Sequence, residues 1–244
     1  MERQLQKLSW LTVRDLVPSK IDTVIFPLGT VEAHGSACIG TDNYIPEIIA
    51  GDICERLNAL VAPTLNYGIT RSLYRYNGGN TIDEGHYQLF VRDILDSFAD
   101  NGFHNIIVMN GHGGNNSALK AVAAAYSRER KVNIAVIHWW ELCGKMTEEF
   151  FGNVGGHAGT DETALVQSID PALGGQDRYD PDLAYHFRPG ADVYPVPGTI
   201  LLYKEGEGYP NYDLTKVHEF RSRVSQTVGD FAEMVIARWR KFGL

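Results

Sequence analysis

Imidazole and carboxylate side chains concentrate in three separate segments of this sequence. They are Glu32, His34 and Asp42 in the first segment, His112 in the second, and His157 and Glu162 in the third. Nitrogen and oxygen donors without thiolates suit Zn, Mn or Fe, and the donor types alone do not choose among these metals. Because a metal ion can make water a strong nucleophile near neutral pH, the set indicates a metal-dependent hydrolase.

The first segment follows an apolar run, Thr23 to Leu28, that predicts a buried strand. Glu32 and His34 are two positions apart, so on an extended strand end their side chains point the same way. Asp42 has two interpretations, a carboxylate that bridges two ions or the N-cap of a helix predicted to start nearby. The neighbouring Glu32 and His34 favour the bridging carboxylate.

The second segment places His112 between Gly111 and Gly113, directly after another apolar run. A histidine in such a turn suits a ligand or an acid/base residue better than a core residue. The glycines could also cradle a phosphate at a helix N-terminus. However, the segment lacks the Lys-Ser/Thr of a P-loop, which disfavours nucleotide binding.

The third segment contains His157 and Glu162, five positions apart. A helix that begins near Thr160 would leave His157 on the preceding loop and put Glu162 in its first turn. Glu162 therefore has an alternative role, because a carboxylate in a first turn complements the helix dipole.

Serine and cysteine nucleophiles have little support. There is no Gly-x-Ser-x-Gly elbow, and Ser36 follows His34-Gly35 outside any strand-turn-helix setting. The three cysteines show no Cys-x-x-Cys spacing and favour reduced thiols in a reducing compartment. They are Cys38, Cys54 and Cys143.

Composition excludes several classes of protein. A net charge of −8 argues against a nucleic-acid-binding surface, which needs clustered Lys and Arg. It leaves an anionic substrate possible, because a bound divalent metal reverses the local potential.

No run of apolar residues is long enough to cross a membrane, and the polar N-terminus lacks the apolar region of a signal peptide. We therefore expect a cytoplasmic enzyme.

Apolar runs alternate with helical patterns, which predicts a single α/β domain over residues 1–244 with a mostly parallel sheet covered on both faces. The predicted strands are 23–28, 106–109 and 133–137. The predicted helices are 45–60, 88–99, 116–130 and 213–242, and residues 162–169 are predicted to begin a further helix.

Residues 170–212 are rich in Pro, Gly, Tyr and Asp and predict loops and short strands. So long an irregular segment either serves function or packs against a partner subunit. Trp139 and Trp140, placed at the end of the third strand, could wall a pocket or belong to the core.

The three motifs together resemble the creatininase (creatinine amidohydrolase) family. They are Gly29-x-x-Glu32-x-His34-Gly35 followed by Asp42, Asn110-Gly111-His112-x-x-Asn115, and His157-x-Gly159-x-x-Glu162-Thr163. The resemblance runs from about Leu8 to the C-terminal helix. It implies a three-layer αβα sandwich, two divalent metal ions (Zn and/or Mn, with Fe also compatible), and hydrolysis of a non-peptide C–N bond in a cyclic amide or formamide.

The resemblance also implies roles for individual residues. The implied metal ligands are Glu32, His34, Asp42 and His112, with Asp42 bridging the two ions. The implied catalytic residues are His157, as acid/base or substrate contact, and Glu162. The implied substrate-binding positions are Thr81, Gly113 and Trp140, the last of which is a pocket-gating tryptophan. By family analogy the chain forms a homo-oligomer, a hexamer.

The sequence departs from creatinine-hydrolysing members of the family at two places. Those enzymes carry Tyr and a metal-binding Glu in the loop where this chain has Gly113 and Gly114, so we expect Glu162 to supply the missing ligand. A tryptophan of theirs is absent near Asn153. Creatinine is therefore disfavoured as the substrate.

The glycine form of the loop is similar to other branches of the family. These include deformylases of formylaminopyrimidines in the flavin pathway and peptidases of a redox-cofactor pathway. Two other classes are a metal-binding homologue without catalysis and a nucleotide-binding oxidoreductase. The latter is disfavoured because no Gly-x-Gly-x-x-Gly follows the first strand.

Overall fold

A computed structural model describes all 244 residues and contains seven α-helices and six β-strands. The helices are α1 (Trp10–Leu16), α2 (Thr41–Ile53), α3 (Glu84–Asp100), α4 (Asn116–Arg130), α5 (Trp139–Phe151), α6 (Thr160–Gln167) and α7 (Val217–Phe242). The strands are β1 (Thr23–Leu28), β2 (Ala59–Val61), β3 (Asn105–Asn110), β4 (Asn133–His138), β5 (Ala184–His186) and β6 (Ile200–Leu202). None of the helices combines the length and the apolar character that a membrane span requires.

The main sheet has the strand order β2-β1-β3-β4, and all its strands run parallel. Leu28 at the end of β1 lies opposite Asn110 at the end of β3, and Asn110 lies opposite His138 at the end of β4. The loops that follow these three strands therefore leave the sheet at one edge. This is the edge at which open α/β sheets build their sites.

Helices cover both faces of the sheet, which confirms the three-layer αβα arrangement. Val24 and Phe26 face a core shared with α1, α3 and α4. Ile25, between them in sequence, faces a second core shared with α2, α5, α6 and α7. Because neighbouring residues of a strand point to opposite faces, the continuous apolar run of β1 supplies both cores.

The observed elements differ from the predicted ones around β2 and α5. The helix predicted over residues 45–60 ends at Ile53, and Ala59–Val61 instead pairs with β1. A short apolar run does not reveal a strand by periodicity, since its partner is supplied by the tertiary structure. Trp139 and Trp140 do not end a strand but begin α5, and α1 was not predicted.

Residues 170–212 form short 3-10 turns and the parallel pair β5-β6, as the composition predicted. This segment contacts the third motif directly. The backbone N–H of His157 donates to the Leu201 carbonyl at 3.1 Å, and the Leu201 N–H donates back at 2.9 Å. The segment thus helps to hold His157 in place.

Candidate metal centre

The predicted ligands converge at the carboxyl edge of the main sheet. They come from the loop after β1, the first turn of α2, the loop after β3 and the first turn of α6, and each is at most 8% exposed: Glu32, His34, Asp42, His112 and Glu162. Uncompensated charges are rarely buried to this degree. The cluster therefore requires partners for its charges.

The N-terminus of α2 is wedged between two loops, and this sets the position of Asp42. The Asp42 carbonyl oxygen lies so close to Gly29 and Gly111 that an added Cβ would sit 2.1 Å and 2.0 Å from it. Pro46, four residues on, lacks the N–H that would otherwise bind this carbonyl. Glycine at both loop positions is what permits the approach.

Asp42 is not a helix N-cap, so the alternative interpretation of this residue is wrong. Gly40 occupies the N-cap position, and Asp42 lies within the first turn. Its Oδ1 lies 2.9 Å from His34 Nε2, and its Oδ2 lies 2.8 Å from His112 Nδ1. One carboxylate therefore stands between two imidazoles from different loops.

Each of the three imidazoles also donates a hydrogen bond to a backbone carbonyl. His34 Nδ1 donates to Glu32 at 3.0 Å, His112 Nε2 to Ile69 at 2.9 Å, and His157 Nε2 to Ala33 at 2.8 Å. These partners assign the proton of the neutral ring. The other nitrogen of each ring then presents a lone pair to the carboxylates, as metal-ligating histidines do.

The donor atoms form overlapping groups in which all atoms lie within 4.8 Å of one another. One group is Glu32, Asp42 and His112, with Glu32 Oε1 3.3 Å from His112 Nδ1. A second is His34, Asp42 and Glu162, with Glu162 Oε2 3.7 Å from His34 Nε2. Asp42 belongs to both, and a third group joins Glu32, His34 and His157.

This arrangement fits divalent metal ions. Asp42 Oδ2 is buried without a hydrogen-bond partner, and His112 Nδ1, which carries a lone pair in the neutral ring, lies 2.8 Å from it. Two lone-pair donors at this distance repel each other unless a proton or a cation lies between them. Carboxylate oxygens and imidazole nitrogens are suitable ligands for Zn and Mn.

The pKa shifts of these groups indicate that protons and cations compete for the same positions in the cluster. Burial opposes charge on the two rings, but the surrounding carboxylates, Asp42 and Glu32 foremost, raise the pKa of His34 to about 10 and that of His112 to about 9. The pKa of Glu162 is raised well above its usual value, mainly by burial. A cation can displace the protons that balance this charge, so metal binding is expected to release them.

His157 differs from the other two histidines. Burial, followed by the neighbouring His34 ring at a centroid distance of 4.1 Å, lowers the pKa of His157 to about 3. Its Nδ1 lies 3.5 Å from Glu32 Oε1. The ring is therefore neutral and offers an acceptor nitrogen toward the cluster.

The first turn of α6 carries two buried carboxylates rather than one. Glu162 Oε2 accepts the Ala158 N–H at 2.6 Å, and Asp161 Oδ1 accepts the Gly156 N–H at 3.1 Å. A Cβ at Gly155 would lie 2.2 Å from the Asp161 carboxylate. Asp161 was not predicted as a site residue; its position beside Glu162 in a first turn was the available signal.

Next to the donor cluster lies a cavity of about 640 Å³. Predicted residues on its wall are Glu32, Asp42, His112, Gly113, Trp140, His157 and Glu162. Thr81 lies outside this wall; it is exposed, and its hydroxyl accepts the Thr70 N–H at 3.0 Å. His34 lies on the interior side of the cluster, since it is 1% exposed and does not line the cavity.

Besides Asp161, much of the wall was not predicted, because it comes from α5, from β6 and from irregular segments. These residues are Ser72, Leu73, Glu141, Gly144, Thr147, Glu148, Val154, Gly155, Gly156, Phe187, Leu201 and Tyr203. The α5 members recur three, four and seven positions apart, the spacing of one helix face. That spacing was visible in the sequence, but the helix itself was not predicted.

Gly114 accounts for the absence of a ligand side chain in the loop after β3. A Cβ at this position would lie 2.1 Å from the Ile69 carbonyl oxygen and 2.4 Å from His112 Nε2. The backbone path here leaves no room for a glutamate. The carboxylate that stands nearest His34, besides Asp42, is Glu162 of α6.

Comparisons with known proteins agree with the motifs. The creatininase family model, described as creatinine amidohydrolase, matches residues 6–212. Creatinine amidohydrolase of Pseudomonas putida is 28% identical over 227 residues, which cover 81% of this chain and 86% of that protein. The mycofactocin precursor peptide peptidase of Mycolicibacterium smegmatis is 28% identical over 160 residues, 63% of this chain and 60% of the peptidase.

Solved structures show the same fold. A creatininase variant of Zn-Zn type superimposes with a TM-score of 0.78 at 22% identity and 99% coverage of both chains. A creatininase structure with Mn gives 0.78 at 22% identity, covering 94% of this chain and 97% of the other. From the family match over residues 6–212 and the presence of all three motifs in order, this chain belongs to the creatininase family of metal-dependent amidohydrolases.

Proposed function

We propose that this protein hydrolyses the C–N bond of a cyclic amide or a formamide with two divalent metal ions, Zn and/or Mn. The observation that carries the proposal is Asp42, whose two oxygens lie 2.9 Å and 2.8 Å from nitrogens of His34 and His112. A carboxylate between two imidazoles that present lone pairs suits a bridge between two cations.

The overlapping groups suggest how the ions are shared. Glu32, Asp42 and His112 would hold one ion, and His34, Asp42 and Glu162 the other. Ions bound there would polarise a substrate carbonyl and lower the pKa of water. The chain's own task is to hold these ligands rigidly, which the carbonyl partners of the histidines and the glycine contacts around α2 support.

His157 is the candidate for proton transfer. In the proposed reaction the water oxygen forms a bond to the carbonyl carbon, and the water proton moves to His157 Nδ1. The C–N bond then breaks, and the same proton passes to the departing nitrogen, giving a carboxylic acid and an amine. His157 Nδ1 lies 3.5 Å from Glu32 Oε1, and the residue lines the cavity, so the ring borders both the donor groups and the space for a substrate.

Trp140 and Gly113 are the candidates for substrate contact. Both line the cavity, and Trp140 is half-buried at the start of α5. The indole could cover a bound substrate and exclude water, while Gly113 offers backbone without a side chain. The cytoplasmic location expected from the sequence stays a prediction, as does the homo-oligomeric, hexameric state implied by the resemblance.

Two measurements on the purified protein test this proposal. Elemental analysis should find two divalent ions per chain, and the loaded protein should hydrolyse at least one member of a panel of cyclic amides, formamides and short peptides. The peptides are included because a peptidase is among the relatives. Glu32→Gln should lose both metal and activity, whereas Glu149→Gln, on the exposed side of α5, should keep both.

The outcomes separate the alternatives. Two bound ions without hydrolysis of any member would support the metal-binding homologue that lacks catalysis. Full metal content and full rate in Glu32→Gln would show that the ligand assignment is wrong.

A further inference from the structure

Apart from its histidines, the wall of the cavity carries only negatively charged side chains. Six of its 22 residues are carboxylates, and none is Lys or Arg: the carboxylates are Glu32, Asp42, Glu141, Glu148, Asp161 and Glu162. We propose that the cavity selects amides bearing a positively charged ammonium or guanidinium group away from the scissile bond, and that Glu141 and Glu148 recognise that group. This inference rests on the proposed function, since it names the substrate class of the same site.

Glu141 and Glu148 lie on one face of α5. They are seven positions apart, and both line the cavity together with Trp140, Gly144 and Thr147. Seven residues of helix rise about 10 Å, so the two carboxylates follow the length of the cavity wall. They are separate from the donor groups of the metal centre.

Neither carboxylate has a cationic partner within the protein. Glu141 accepts one hydrogen bond, from the Asn116 amide at 3.1 Å, and Glu148 forms no salt bridge. The nearby lysines are engaged elsewhere: Lys145 pairs with Glu149 at 3.5 Å, and Lys204 pairs with Glu207 at 2.6 Å. The two charges are therefore available to a ligand.

A charge count for the loaded site points the same way. Two divalent ions would balance the four inner carboxylates, which are Glu32, Asp42, Asp161 and Glu162. Glu141 and Glu148 would remain on the wall without a salt-bridge partner. An anionic substrate would meet this negative wall without any Lys or Arg to receive it, which costs binding free energy.

Thr147 is an independent sign that a polar ligand occupies this wall. It is 1% exposed and lines the cavity, yet its hydroxyl has no hydrogen-bond partner. Buried hydroxyls are normally satisfied. A ligand N–H could supply the missing partner, and the adjacent Gly144 leaves space for it, since a Cβ there would meet nothing within 4 Å.

The aromatic residues of the cavity suit a cation as well. Trp140 lies on the same wall, and Phe187 stacks on Tyr203 at a centroid distance of 5.4 Å. The face of an aromatic ring attracts ammonium and guanidinium groups within about 6 Å of its centre. Carboxylates with aromatic rings are thus a suitable recognition set for a cationic amide.

Binding of three matched formamides to the metal-loaded protein tests the proposal. N-formylputrescine carries an ammonium group, N-pentylformamide is its neutral counterpart, and N-formyl-γ-aminobutyrate is anionic. Isothermal titration calorimetry at low salt should show the cationic probe binding about tenfold tighter than the neutral one, and the anionic probe weakest. The preference should weaken with added salt.

Variants of α5 locate the selectivity. In the double variant Glu141→Gln/Glu148→Gln the cationic and neutral probes should bind equally, while metal content stays at the wild-type level. Glu149→Gln removes a charge from the same helix outside the cavity and should keep the full preference. Equal binding of the two probes to the wild type, persistence of the preference in the double variant, or failure of all three probes to bind would overturn the proposal.

Formate release is measured in a separate assay, so that the binding selectivity and the proposed hydrolysis are tested independently. Cation-selective binding without hydrolysis would uphold the recognition site and contradict the assigned reaction. Hydrolysis without cation selectivity would do the reverse.

Discussion

The shared position of Asp42 leads to a quantitative prediction about metal-dependent stability. Asp42 belongs to both principal donor groups, whereas Glu162 belongs to one. Asp42→Asn removes a charged ligand from each group at nearly constant volume, and Glu162→Gln removes one from a single group. We therefore expect the wild type, Glu162→Gln and Asp42→Asn to bind two, one and no ions.

The expected size follows from linkage. A ligand present at a hundred times its dissociation constant stabilises the native state by about 2.7 kcal/mol per site. At about 2.1 cal/mol/K per residue, the entropy of unfolding for 244 residues is about 0.5 kcal/mol/K. Each occupied site should then raise the Tm by about 5 °C, and two sites by about 10 °C.

The assay compares each chelator-treated variant with and without Zn or Mn by differential scanning calorimetry, with elemental analysis of the same samples. The wild type and Glu149→Gln should both shift by about 10 °C, Glu162→Gln by about 5 °C, and Asp42→Asn by about 0 °C. A shift of the full size in Asp42→Asn would refute its role as a shared ligand. A full shift with two ions in Glu162→Gln would refute the assignment of Glu162.

Three further predictions concern packing and thiol chemistry. Gly114→Ala should lower the free energy of unfolding by about 1–3 kcal/mol and remove most of the metal affinity, because its Cβ meets backbone. Gly51→Ala, in open space on α2, should instead raise the free energy of unfolding by roughly 0.5–1 kcal/mol. Urea unfolding of both variants measures the difference. Phe220→Ala, at a site with 0% exposure, should cost about 3–5 kcal/mol in the same assay, and a cost below about 1 kcal/mol would contradict the observed packing. Burial raises the pKa of Cys143 to about 12, so roughly one thiol in ten thousand is ionised at pH 8. Iodoacetamide should therefore label the partly exposed Cys38 before Cys143. Mass spectrometry measures the order of labelling, and labelling of Cys143 first would contradict the prediction.

The fold and the metal centre could be predicted from the sequence to different depths. Apolar runs that end in Gly, His and Asp are local signals, so β1, β3, β4 and the positions of His34 and His112 after their strands were accessible. The Ala-rich pattern of α4 was recognised with both ends correct, Asn116 and Arg130. These features depend on neighbours in the chain.

Features that depend on distant partners were not accessible. Ala59–Val61 is a strand because β1 lies beside it, and the apolar residues around it also suit a helix. Trp140 was expected at a strand end, but it begins α5, and this helix adds Glu141 and Glu148 to the cavity wall. Side chains with no counterpart in a local motif become part of a site only through packing.

The sequence by itself determined the chemistry available to this protein: imidazoles and carboxylates at the ends of parallel strands, with glycines where backbones meet. The tertiary structure decided which of them share an ion site. Asp42 reaches both His34 and His112 because Gly29 and Gly111 let the start of α2 enter between two loops. Distances between loops depend on the alignment of strand ends across the sheet, and no spacing along the chain encodes that alignment.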